Sequence, residues 1–187
     1  MTSTSRITTR LASAGAIAAS IALGVQGVIQ ITHEQSGQST VVGVEHVTLA
    51  GLTATLLCLI PAVVLLGRIA GRPRAAAISC TGQVVLALLT VVSNVRGKDP
   101  SFFAAVAIPS NLLWFGAWVA LAVALKRGRL VPAAVAVGLP LSWIFALPLS
   151  SLGGSLVAGA FWLTVGWMLG HDALQRRGAP HAEPARA

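Results

Sequence analysis

Residues 47–74 read VTLAGLTATLLCLIPAVVLLGRIAGRPR. The first twenty-one of them carry no charge, and Arg68, Arg72 and Arg74 follow within seven positions. At about 1.5 Å of rise per residue, a helix of that length crosses the roughly 30 Å hydrocarbon core of a bilayer. Arginines crowded at one end of a span mark its cytoplasmic side. The same pairing of a charge-free run with a basic turn recurs along the chain and sets the fold class.

Composition agrees. The 187 residues are 55% apolar and 10% charged, against about 25% charged in ordinary soluble domains. Mean hydropathy is +0.81. A soluble domain of this size needs far more polar surface to cover its core, and a bilayer removes that need. The net charge of +8 does not indicate nucleic acid. The basic residues sit in short clusters between apolar runs, without a basic groove or interleaved aromatics.

Working outward, spans are expected at residues 11–31, 47–67, 75–95, 102–125, 130–149 and 152–169, in a single domain over 1–170. The first run is long for a signal peptide and lacks a clear cleavage site, so it is read as an uncleaved helix. Pro61 and Pro109 fall inside spans, and Pro132 falls in a first turn, where a missing N–H costs nothing. Residues 171–187, rich in Pro, Ala and Arg, are expected to form a disordered cytoplasmic tail.

With the N-terminus inside, the inner segments hold Arg6, Arg10, Arg68, Arg72, Arg74, Lys126, Arg127, Arg129, Arg176, Arg177 and Arg186. Arg96 and Lys98 alone fall outside. Eleven of thirteen basic residues on one side predicts six helices with both termini cytoplasmic, in a plasma membrane. An all-α bundle follows, since helices satisfy their own backbone in lipid. Gly15 with Ala19, and Gly166 with Gly170, have the spacing of small residues that lets helices approach closely. No motif repeats between the two halves.

The chemically distinctive stretch is residues 30–46, QITHEQSGQSTVVGVEH, with two of the five acids, two of the four histidines and no Lys or Arg. It lies between the first two spans, on the outer side. Gln26, Gln30 and His33 share one face of the first span, and Ser79, Gln83, Thr90 and Asn94 share one of the third. Asn111, Trp114 and Trp118 share one of the fourth. An amide facing lipid is costly, so these stripes are expected to face each other. They predict an outward-facing polar-lined pocket for an apolar or amphipathic ligand, or for a partner helix. Residues 30–46 would cap it, with Glu45 and His46 at the rim. The plainer reading is that the same groups only join helices by hydrogen bonds.

Two other functions compete. Glu45 and His46 could act as acid and base in an isomerase or cyclase of a lipid-like substrate. Nucleophile and phosphate-loop motifs are absent, so proton transfer is the chemistry that remains. A small transporter is the other alternative, and it would need a homo-oligomer, a dimer, to build a path. His33, Glu34, Glu45 and His46 lack the i, i+4 spacing that aims two metal ligands from one helix, so neither metal nor cofactor is expected. Cys58 and Cys80 lie in apolar runs without metal spacing and read as small hydrophobes. Trp167 reads as an interfacial belt residue, while Trp114, Trp143 and Trp162 lie deeper and need partners for their N–H groups. Arg96, Lys98 and Asp99 read as a solvated cluster.

Overall fold

The structure, a computed structural model, describes residues 3–33, 41 and 43–171. The described residues form α1 (Ser3–Thr32), α2 (Val44–Ile69), α3 (Pro73–Arg96), α4 (Phe103–Arg127), α5 (Ala133–Ala146) and α6 (Gly154–Gly170). A 3-10 turn, Ser150–Leu152, precedes α6. The protein is therefore the expected all-α bundle of six helices. Four of them, α1 to α4, are long and apolar enough to cross a membrane. The 14 residues of α5 and 17 of α6 rise about 21 and 26 Å.

The helix ends depart from expectation for local reasons. α1 begins at Ser3 rather than near residue 11, because residues 3–10 contain no Gly or Pro to stop it. α2 begins at Val44, after Gly43 at φ 55°, so Glu45 and His46 lie in its first turn. Pro73 opens α3, and Gly97 closes it at φ 66°, a left-handed position that glycine adopts without strain. α5 is shorter than residues 130–149 at both ends. At its start Val131 precedes Pro132, and the residue before a proline is pushed toward extended geometry. At its end Leu147 is still helical and its N–H reaches the Trp143 carbonyl at 3.1 Å before the chain turns, while Pro140 is carried inside the helix. Pro132 accordingly stands just before the helix at ψ 142° rather than in its first turn.

Each helix packs on its neighbours in sequence, and α6 packs on α1, which closes the six into a ring. Small residues make the seams. A Cβ on Gly166 of α6 would lie 3.1 Å from the Ser13 carbonyl of α1, and Ser13 Oγ donates to the Gly166 carbonyl at 2.7 Å. Gly15 meets the Cys58 carbonyl of α2, and Gly67 of α2 meets Ala76 of α3. A Cβ on Gly82 of α3 would lie 2.8 Å from the Ser110 carbonyl of α4. The glycine spacing seen in α1 and α6 thus marks real seams, α1 against α2 and α6 against α1. Across the ring, Trp118 of α4 meets Trp162 of α6, with ring centroids 5.4 Å apart.

Short connections alternate the helix directions, so Arg6, Arg10, Arg68, Arg72, Arg74, Lys126, Arg127 and Arg129 gather at one end. Arg96 and Lys98 lie at the other. Between the ends, the outward faces are apolar: Ile21, Val25 and Val28 of α1, Leu88 and Val95 of α3, Ile108 and Leu112 of α4. The interior is also largely apolar, but set within it are Gln26, Gln30, Ser79, Gln83, Thr90 and Ser93. Contiguous apolar surface over polar interior groups is stable in lipid and unstable in water. This is the surface of a membrane protein.

Candidate functional site

At mid-depth the expected stripes of α3 and α4 meet. Gln83 is fully buried. Its amide nitrogen donates to the Leu56 carbonyl of α2 at 2.9 Å, and its oxygen accepts from Ser79 Oγ at 2.9 Å and from Trp114 Nε1 at 3.2 Å. This orientation of the amide satisfies both of its ends. One side chain thereby joins three helices. Gln83 and Trp114 are brought together as the stripes predict, but their polar atoms are committed to each other and to backbone.

Nearer the end away from the arginines, more pairs form. Thr53 of α2 and Thr90 of α3 share a hydrogen bond of 2.7 Å. Ser155 Oγ of α6 donates to Gln30 Oε1 of α1 at 2.8 Å. His46 Nδ1 of α2 pairs with Asn94 Oδ1 of α3, and Asn94 Nδ2 donates to the His46 carbonyl at 3.3 Å. Asn94 is half-buried, and the fully buried stripe of α3 ends instead on Ser93. His33 is exposed, next to Thr32 Oγ1 at 2.9 Å. It therefore stands apart from Gln26 and Gln30, which are buried. Val41 N–H donates to the Gly97 carbonyl at 2.8 Å, tying the first connection to the α3–α4 turn. Of the proposed cap, residues 34–40 and 42, Glu34 included, lie outside the described residues, as do residues 172–187.

Among the described residues, five buried side-chain polar atoms have no hydrogen-bond partner: Gln26 Oε1, Ser93 Oγ, Asn111 Oδ1, Trp118 Nε1 and Trp143 Nε1. Asn111 uses its Nδ2 on the Ala107 carbonyl one turn back, at 2.9 Å. Gln26 lies in the seam with α2, its Cβ 4.0 Å from where a Cβ on Gly51 would stand. Trp143 of α5 packs on Phe115 of α4, with centroids 4.9 Å apart, one turn beyond Asn111. By helical rise, Gln26, Ser93 and Trp143 lie within about 10 Å of the end away from the arginines, and Asn111 lies about 12 Å from it. Trp118 is deeper, wedged between Trp114 at 5.1 Å and Trp162 at 5.4 Å. Buried polar atoms without partners are rare and costly in native proteins, and water or a ligand often completes them. Ser93 carried no signal in sequence beyond its place three residues after Thr90. Trp143, expected at depth, instead stands three residues from the end of α5, because the helix stops at Ala146.

Glu45 and His46 are consecutive on α2, so their side chains point about 100° apart. Glu45 is half-buried and His46 exposed. Among the described residues, no three of His, Cys, Asp or Glu come close enough to hold a metal ion. Trp167 lies exposed in the last turn of α6, its ring 4.6 Å from that of His171. The chain matches no family model, no curated protein and no solved structure.

Proposed function

We propose that this is a multi-pass plasma-membrane protein, with both termini cytoplasmic, that binds a small amphipathic ligand in the outer half of its helix ring. The observation that supports this is the collection of unpartnered atoms of Gln26, Ser93, Asn111 and Trp143 on four helices at one end. Two are acceptors and Trp143 is a donor, while Ser93 can be either. A ligand with an apolar body and both an acceptor and a donor matches that set. The opposite distribution of arginines supports the orientation.

Binding is favoured over proton-transfer catalysis. Glu45 and His46 diverge on α2, and His46 is engaged by Asn94. A general acid and base must both reach the reacting atoms. The transporter alternative, acting as a dimer, has no comparable supporting contact.

The test is native mass spectrometry of the purified full chain beside a Gln26→Leu/Asn111→Leu variant. The wild type is expected to carry a small molecule that the double variant loses while remaining folded by circular dichroism. Wild-type protein free of any such species, or equal retention in the variant, would end the proposal.

A further inference from the structure

A groove of about 540 Å³ opens at the arginine-rich end. The start of α3 contributes Arg72, Pro73, Arg74 and Ala75, and α4 contributes Ala120 and Val123. Both arginines are exposed, and among the described residues no acid lines the groove. No side chain caps the start of α3, so its first free N–H groups add partial positive charge beside the guanidinium groups. The α4 wall is different in kind. Ala120 and Val123 are exposed and apolar. They precede Arg127, the last residue of α4, by seven and four positions, which places them about 10 and 6 Å toward the midplane. The groove therefore changes from cationic to apolar along the membrane normal, over the distance in which a phospholipid changes from headgroup to acyl chain.

We propose that this groove is a binding site for an anionic phospholipid. Its phosphate sits between Arg72 and Arg74, and the first part of an acyl chain lies along Ala120 and Val123. Guanidinium forks match phosphate oxygens in pairs. Basic pockets between membrane helices hold acidic headgroups by the same chemistry. The site is separate from the polar half of the ring and does not depend on the ligand proposed there. The volume is in the range of small-molecule sites, and an inorganic phosphate would leave the α4 wall bare.

The experiment is native mass spectrometry of the full chain in neutral detergent, with added dioleoyl phosphatidylglycerol or dioleoyl phosphatidylcholine. Phosphatidylglycerol is expected to be retained in preference. Arg72→Gln/Arg74→Gln should cut its retention about thirty-fold, a factor of roughly five for each arginine near a membrane surface. Arg72→Lys/Arg74→Lys, which keeps the charge, should lose much less. Arg96→Gln/Lys98→Gln removes equal charge from the opposite end and should change nothing. Ala120→Trp, at an exposed position, fills the apolar wall and should also lower retention. Circular dichroism establishes that each variant is folded. Equal retention of the two lipids, or equal loss in the two glutamine variants, overturns the site. Retention untouched by Ala120→Trp but abolished by inorganic phosphate would show an anion site without a lipid, and also overturns it.

Discussion

The indole N–H of Trp114 on α4 donates to the side-chain oxygen of Gln83 on α3 across 3.2 Å. The same amide reaches the Leu56 carbonyl of α2 at 2.9 Å. Hydrogen bonds between membrane helices average about 0.6 kcal/mol, with larger values where the alternative is an unmet polar group. Gln83→Leu should therefore destabilise the bundle by about 1–2 kcal/mol, since it strands the Trp114 N–H. Combined with Trp114→Phe, the loss should be smaller than the sum by about 0.5–1.5 kcal/mol. Unfolding by denaturing detergent in mixed micelles measures all three variants, and strict additivity would show that the two side chains do not interact.

Two glycines separate close packing from free space. A Cβ at Gly82 would press on the Ser110 carbonyl at 2.8 Å, whereas one at Gly116 would meet nothing within 4 Å. Gly82→Ala should cost about 1–3 kcal/mol by forcing α3 from α4. Gly116→Ala, in the middle of α4, should instead stabilise by about 0.5–1 kcal/mol through helix propensity. The same unfolding assay reads both, and effects of equal sign would contradict the α3–α4 seam.

Arg129 is held at φ 51° in the turn after α4. A side chain in this region costs about 1–2 kcal/mol, which glycine avoids. Arg129→Gly should raise stability by about 0.5–1 kcal/mol after its greater freedom in the unfolded chain is counted. Arg129→Val should lower it, because a branched side chain tolerates positive φ poorly. A loss of stability in the glycine variant would mean that the arginine side chain contributes more than its backbone costs.

Orientation predicts a labelling pattern. In a background of Cys58→Ala and Cys80→Ala, Lys98→Cys should react with an impermeant thiol reagent added to intact cells. Arg127→Cys should react after permeabilisation alone. The reversed pattern would place the arginine-rich end outside and remove the proposed outer pocket.

Hydropathy and charge made the six helices legible, and helical spacing made the α3 and α4 stripes legible as inward faces, though not the pairing of Gln83 with Trp114. Spacing names a face of a helix but not the neighbour that covers it. Nothing in the chain announced that Gln30 would meet Ser155 rather than a residue of α2. Nor did it separate Ser93, fully buried, from Asn94, which turns aside to His46. The late start of α5 was readable in principle, since Pro132 stands just before it. Its early end was not, because a proline alone does not stop a helix here: Pro140 lies inside α5 as Pro61 lies inside α2. α1 was underestimated at its start for a different reason. Polar residues there lowered the hydropathy while nothing in them ended the helix.

The bond between Ser13 and Gly166 joins residues 153 positions apart. At ribosomal speeds of about 5–20 residues per second, roughly eight to thirty seconds pass between their syntheses. During that interval α1 presents Ser13 and Gln30 to whatever surrounds it, with their final partners still unmade. The earlier helices must wait in an open arc, where a chaperone, a lipid or a second nascent chain can occupy the vacant flank. Arrival of the last helix is then the event that commits the protein to its finished form, and lesions in α6 should trap an assembly intermediate rather than merely weaken the end product.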